Sequence, residues 1–141
     1  MEKIETARAP RPAGHYSQAV VHAGLVYAAG QLPVDPVTGE VCRGPVEDHA
    51  RQAIANLRAV LEAAGSGLDL TLKVTVYVSD VALWGRVNAV YAEAFGGHRP
   101  ARTVVPTRDL HHGALVEIDA IAALRETSGH RQELAGNRGE G

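Results

Sequence analysis

At 141 residues, with 14 Lys and Arg against 16 Asp and Glu and a net charge of −2, the chain has the length of one ordinary domain and lacks the basic field that grips a phosphate backbone. Its single cysteine, Cys42, excludes an internal disulfide and any Cys-based zinc site. The amino-terminal MEKIETARAPRPAGH carries acids and prolines where a signal peptide needs an apolar core, and no apolar run approaches membrane-spanning length, so a cytoplasmic protein without membrane or nucleic-acid partners is expected.

In chain order, 17-SQAVVHAG-24 and 25-LVYAAGQLP-33 read as two short strands joined by a tight hairpin at Ala23-Gly24. The stretch 35-DPVTGEVCRGP-45 is a turn-rich connection, and Pro45 suits the first turn of a helix. Val46, Ala50, Ala53, Ile54, Leu57, Leu61 and Ala64 then recur at helical spacing up to a stop at Gly65. The run 71-TLKVTVYVS-79 alternates, which predicts a strand with Leu72, Val74, Val76 and Val78 on one face and Thr71, Lys73, Thr75 and Tyr77 on the other. Ser79 or Asp80 can cap a second helix whose apolar face carries Leu83, Val87, Val90, Tyr91 and Ala94, ended by Gly96-Gly97. Two more strands follow at 101-ARTVVPTRDL-110 and 115-LVEIDAIAAL-124, with Pro106 demanding an edge, a bulge or a break.

This order predicts a single α+β domain over 1–124, a mixed sheet with both helices on one face, followed by a polar, Gly-rich and flexible tail over 125–141. The uncovered face would be half apolar and half polar, with Lys73 leaning toward an interface, so a homo-oligomer is expected.

Arg102 and Glu117 are the candidate chemical pair. Were their strands to pair as a hairpin, guanidinium and carboxylate could meet on one face. Two readings stay open: a structural salt bridge, or an anion anchor beside a water-handling carboxylate. Arg99, by contrast, reads as a solvated loop charge. His111 and His112 are adjacent and converge poorly, so a surface loop is preferred to a metal site. Cys42 next to Arg43 reads as incidental, and Gly96-Gly97-His98 as a helix terminator rather than a phosphate loop.

The stretches 15-HYSQAVVHAGLVYAAGQLPVDPVTGEV-41, 84-WGRVNAVYAEAFG-96, 100-PARTVV-105 and 116-VEIDAIA-122 together resemble the RidA (YjgF/YER057c/UK114) family of enamine/imine deaminases, in the family's order and near its spacing. The resemblance implies a chorismate-mutase-like α+β subunit, assembled as a homotrimer with active sites between subunits. It implies hydrolysis of 2-aminoacrylate-type enamines and imines to 2-oxo acids and ammonia, with no cofactor and no metal. The arginine of the family's PAR-S/T motif falls on Arg102, which would bind the substrate carboxylate. The glutamate of its E-I-E/D-A-I-A motif falls on Glu117, which would position and activate water. Tyr16 would line the cleft, Gly30 and the backbone at Val104 would contact the ligand, and Asn88 would act in support.

The chain departs from the family pattern at Ala29, where a serine is usual, at Val104, where a cysteine is common, at His15 before the tyrosine, and over 106-PTRDLHHG-113. These changes preserve the anchor and the water-handling group and alter the walls. A specialised relative acting on a larger imine or enamine is therefore the second enzymatic reading, and a non-catalytic carboxylate-binding or chaperone-like module the alternative from another class. Ribonuclease activity, also attributed to the family, fits poorly with the acidic balance.

Overall fold

The computed structural model describes residues 1–126. Six strands form one mixed sheet: β1 (Glu2–Ile4), β2 (Ala19–His22), β3 (Leu25–Gln31), β4 (Thr71–Val78), β5 (Ala101–Pro106) and β6 (Val116–Ala123), in spatial order β1-β2-β3-β6-β4-β5. Two helices, α1 (Val46–Ala63) and α2 (Trp84–Phe95), complete the expected α+β architecture. The short strand β1 was not anticipated from its three residues. Of the expected tail over 125–141, residues 127–141 lie outside the described residues; Arg125 donates from its backbone N–H to Gly65 O and pairs with Asp69.

Local sequence accounts for most element ends. Ala23 and Gly24, both at positive φ, make the two-residue turn that matches strand twist and sets the antiparallel β2–β3 register. Pro45 stands at the N-cap of α1, with Glu47 and Asp48 in the first turn, where carboxylates complement the helix dipole. Asp80 accepts a hydrogen bond from Ala82 N–H, capping the single turn that leads into α2. Pro106 closes β5, which is the sheet edge where a missing N–H is tolerated.

The core lies between the sheet and the two helices. Val74, Val76 and Val78 of β4 and Val116, Ile118, Ala120 and Ala122 of β6 pack against Leu57, Val60 and Leu61 of α1 and Val87 and Val90 of α2. The opposite face of the sheet carries Tyr27, Thr75, Tyr77, Glu117, Asp119 and Ile121, uncovered in the single chain.

Three expectations need correction. First, β5 and β6 do not pair with each other: β4 lies between them, parallel to β5 and antiparallel to β6. The route between them, too long for a two-residue turn, goes through Thr107–Leu115, and Thr107 N–H returns to Val78 O instead. Second, Thr71 is buried and Leu72 exposed, the reverse of strict alternation, because a bulge at Leu72 inserts an extra residue opposite β6 between Thr71 and Lys73. The buried Thr71 hydroxyl is satisfied by Leu68 O. Third, His49 and Asn56, polar residues left off the expected helix face, are both buried in α1, because each meets a backbone group of a neighbouring loop.

Candidate active site

Arg102 stands on β5 opposite Val74 of β4, so its side chain leaves the sheet on the helix side. There it meets one stripe of α2. Its Nη1 donates to Asn88 Oδ1 at 2.8 Å, and its Cζ lies 4.7 Å from the Trp84 ring centre and 4.8 Å from that of Tyr91. Trp84, Asn88 and Tyr91 are spaced i, i+4, i+7, which puts them on one helix face. Tyr91 in turn stacks on Phe95, ring centres 4.4 Å apart. Burial pushes the Tyr91 phenol up, and the Arg102 guanidinium beside it opposes that shift.

Arg102 makes no ion pair among the described residues. Five N–H donors in a planar fork, one of them used by Asn88, leave an edge suited to a carboxylate. Arg99, the other arginine of the same stretch, lines the adjoining crevice with His98 and Pro100 and is exposed. Val104, two residues along β5 on the face of Arg102, is half-buried and packs against the core.

Glu117 belongs to the other face. It stands opposite Tyr77 on β4, and its carboxylate lies against Gly30. A second bulge causes this contact: between the pairs Ala28–Ala120 and Gln31–Ile118, Ala29 and Gly30 together face the single residue Asp119. A Cβ on Gly30 would overlap Glu117 Oε1 and come within 3.1 Å of its Cδ. Burial raises the Glu117 carboxyl above the usual carboxylate range; His111 opposes that shift and Asp119 adds to it. Next to it, the Tyr77 hydroxyl donates to Asp119 Oδ2 at 3.2 Å, and Lys73 Nζ donates to Thr103 Oγ1 at 2.7 Å.

Gly30 also opens onto a groove of about 620 Å³ between the amino-terminal segment and the 32–43 connection, lined among others by Tyr16, Gln31, Val41 and His112. Two buried amides build its walls. The Gln18 side chain accepts from Thr6 N–H and donates to the carbonyls of Thr6 and Pro10, and Asn56 donates to the carbonyls of Leu32 and Val34. Tyr16, the residue expected in the cleft, is about half exposed at this rim.

The sequence-predicted residues therefore fall into two clusters: Arg102, Asn88 and Val104 at the α2–β5 edge, and Tyr16, Gly30 and Glu117 on the open side. The salt-bridge reading of Arg102 with Glu117 is excluded within one chain. Sequence reasoning missed Trp84 as a partner of Arg102, although the spacing of Trp84, Asn88 and Tyr91 carried the signal. It also missed Gln18 as a fastener. His111 and His112 sit in an exposed turn, and no group of three or more His, Cys, Asp or Glu among the described residues could hold a metal ion. No helix among them is long and apolar enough to cross a membrane.

A family model described as Endoribonuclease L-PSP matches residues 6–124. A RutC family protein of Pyrococcus horikoshii is 46% identical over 121 residues, covering 86% of this chain and 96% of its own. The 2-iminobutanoate/2-iminopropanoate deaminase of Rattus norvegicus is 40% identical over 119 residues, covering 84% and 87%. The crystal structure of Escherichia coli TdcF with bound serine superposes with a TM-score of 0.84 at 36% identity, covering 89% of this chain and 100% of that one. With the motifs, the six-stranded sheet and two helices, and these relatives in agreement, the chain belongs to the RidA (YjgF/YER057c/UK114) family.

Proposed function

We propose that the protein is a cofactor-independent enamine/imine deaminase, hydrolysing 2-aminoacrylate-type substrates through their imine tautomers. The observation that carries this reading is Arg102: an arginine oriented by two rings and an amide, its fork unspent on any carboxylate among the described residues. The rat relative named as an imine deaminase, and TdcF with its bound amino acid, support a small carboxylate-bearing ligand.

In this reading the substrate carboxylate docks on Arg102, with Asn88 in support and Tyr16, Gly30 and the backbone at Val104 along the walls. Glu117, whose burial makes it a stronger base than an ordinary carboxylate, takes a proton from water as the water oxygen bonds to the imine carbon. The C=N electron pair passes to the protonated imine nitrogen, giving a carbinolamine; Glu117 then returns its proton to that nitrogen and accepts the proton of the new hydroxyl as the C–N bond breaks, so that ammonia leaves and the 2-oxo acid remains. An imine is already electrophilic, so orientation and a positioned water supply most of what the step needs.

Because Arg102 and Glu117 project from opposite faces of one sheet, a site that uses both is completed by a second copy. The uncovered face with Tyr27, Thr75, Tyr77 and Ile121 is the surface such a copy would bury, in a homotrimer with sites between subunits.

The test couples a serine dehydratase, which releases 2-aminoacrylate, to detection of 2-oxo acid formation. Wild type accelerates the appearance of pyruvate, and Arg102→Ala does not. Equal rates for the two proteins would sink the reading. The groove of about 620 Å³ beside Tyr16 and Gly30, with Ala29 next to Gly30 in the chain, favours a second form in which the substrate carries a larger side chain. Faster turnover of branched or aromatic imino acids than of 2-iminopropanoate would select it.

A further inference from the structure

We propose that Trp84 and Tyr91 are positioning residues for carboxylate recognition, an aromatic clamp whose two rings hold the Arg102 guanidinium in place and present its free edge to the ligand. The proposal rests on Arg102 as the carboxylate anchor and adds what keeps that anchor in place.

Two residues seven apart on a helix stand about 10.5 Å apart along its axis. The Arg102 guanidinium is within cation–π reach of both rings, its Cζ 4.7 and 4.8 Å from their centres. Asn88, between them on the same stripe, accepts from Nη1 and fixes rotation within the plane. Phe95 backs Tyr91 from the far side, and Tyr91 is itself buried, so that wall is rigid.

An arginine on an edge strand would otherwise sample many rotamers, and a carboxylate would have to order it on binding. Cation–π contact with two rings removes that freedom beforehand while leaving the charge and the remaining donors intact. Of the two walls Trp84 is the more open, being only half-buried at the first turn of α2. It is also the chain's single tryptophan, so its fluorescence reports on the guanidinium directly.

The experiment titrates the assembled protein with 2-oxobutanoate, following Trp84 emission and, for variants without tryptophan, calorimetric heat. Wild type binds with a change in emission, and Arg102→Ala does not bind. Trp84→Leu, which keeps apolar bulk but removes the ring, weakens binding by about three- to thirty-fold, and Trp84→Phe restores most of it. Turnover shows the same pattern as a rise in KM with kcat nearly unchanged.

Wild-type affinity in Trp84→Leu would overturn the clamp, as would a loss of kcat without a change in binding, or failure of wild type to bind 2-oxobutanoate. Binding that follows the predicted order without turnover would keep the clamp and reject the deaminase reading alone.

Discussion

Arg102 and Glu117 leave the same sheet in opposite directions: Arg102, opposite Val74, projects toward α2, and Glu117, opposite Tyr77, projects onto the uncovered face. β4 separates their strands, so no side-chain rotation brings the two together in one chain. Either the residues are unrelated, or their chemistry is joined across an interface between copies.

Glu117 should set the acid limb of activity. A carboxyl raised by burial becomes a base only above its own elevated pKa, so kcat/KM should fall on acidification at a pH above the ordinary glutamate value of about 4.3. A pH–rate profile checks this, and Glu117→Gln should abolish the limb while lowering the rate by about 100-fold or more.

Gly30→Ala should harm the site more than the fold. The new methyl would displace the Glu117 carboxylate, whose Cγ and Cδ are also close, at 3.3 and 3.1 Å. A side chain pushed off its rotamer costs about 1–3 kcal/mol, measurable by urea denaturation. The turnover loss should approach that of Glu117→Gln.

His49 should make the fold acid-sensitive. Its Nδ1 accepts from Leu115 N–H, at the entry to the strand that carries Glu117, and burial lowers its pKa below the ordinary histidine value. Below about pH 6.5 the unfolded chain takes up a proton that the folded chain refuses. Stability is therefore complete above that value and is lost as the pH falls toward the folded pKa. His49→Asn, which can still accept the hydrogen bond, should flatten this dependence when urea midpoints are compared across that range. An unchanged pH slope would count against His49.

Much of this was legible in the sequence. Alternation over 71–79 put Val74, Val76 and Val78 on the covered face and Lys73, Thr75 and Tyr77 on the other, the Ala23-Gly24 turn gave the β2–β3 hairpin, and Pro106 allowed an edge, a bulge or a break, of which the edge is found. Two things were not legible. Pairing order is a long-range choice: β5 joins β4 because the route through α2 runs parallel strands side by side, and a nine-residue connection from Thr107 to Leu115 does not itself say which neighbour it avoids. The bulges at Leu72 and at Ala29-Gly30 likewise break the period of two only where a third strand or a side chain such as Glu117 requires it. The Arg102 clamp lay between these cases, its helix spacing visible and its strand partner hidden until the sheet order was known.

Gln18 should matter as a fastener of the amino-terminal wall. It joins Thr6 and Pro10 to β2 through a buried amide with every polar atom used. Gln18→Leu would leave those backbone groups unsatisfied, at a cost of about 1–3 kcal/mol. Hydrogen exchange should rise first over residues 6–18, with KM increasing through the loosened Tyr16 rim.

The shared site is tested most directly by mixing subunits. Arg102→Ala and Glu117→Ala proteins, each inactive, are unfolded, combined in equal amounts and refolded together. If each site takes Arg102 from one copy and Glu117 from its neighbour, half of the copies supply each residue, and about a quarter of the sites (a half of a half) regain both. The mixture should recover about one quarter of wild-type deaminase activity. A mixture no more active than its two parents would contradict the account.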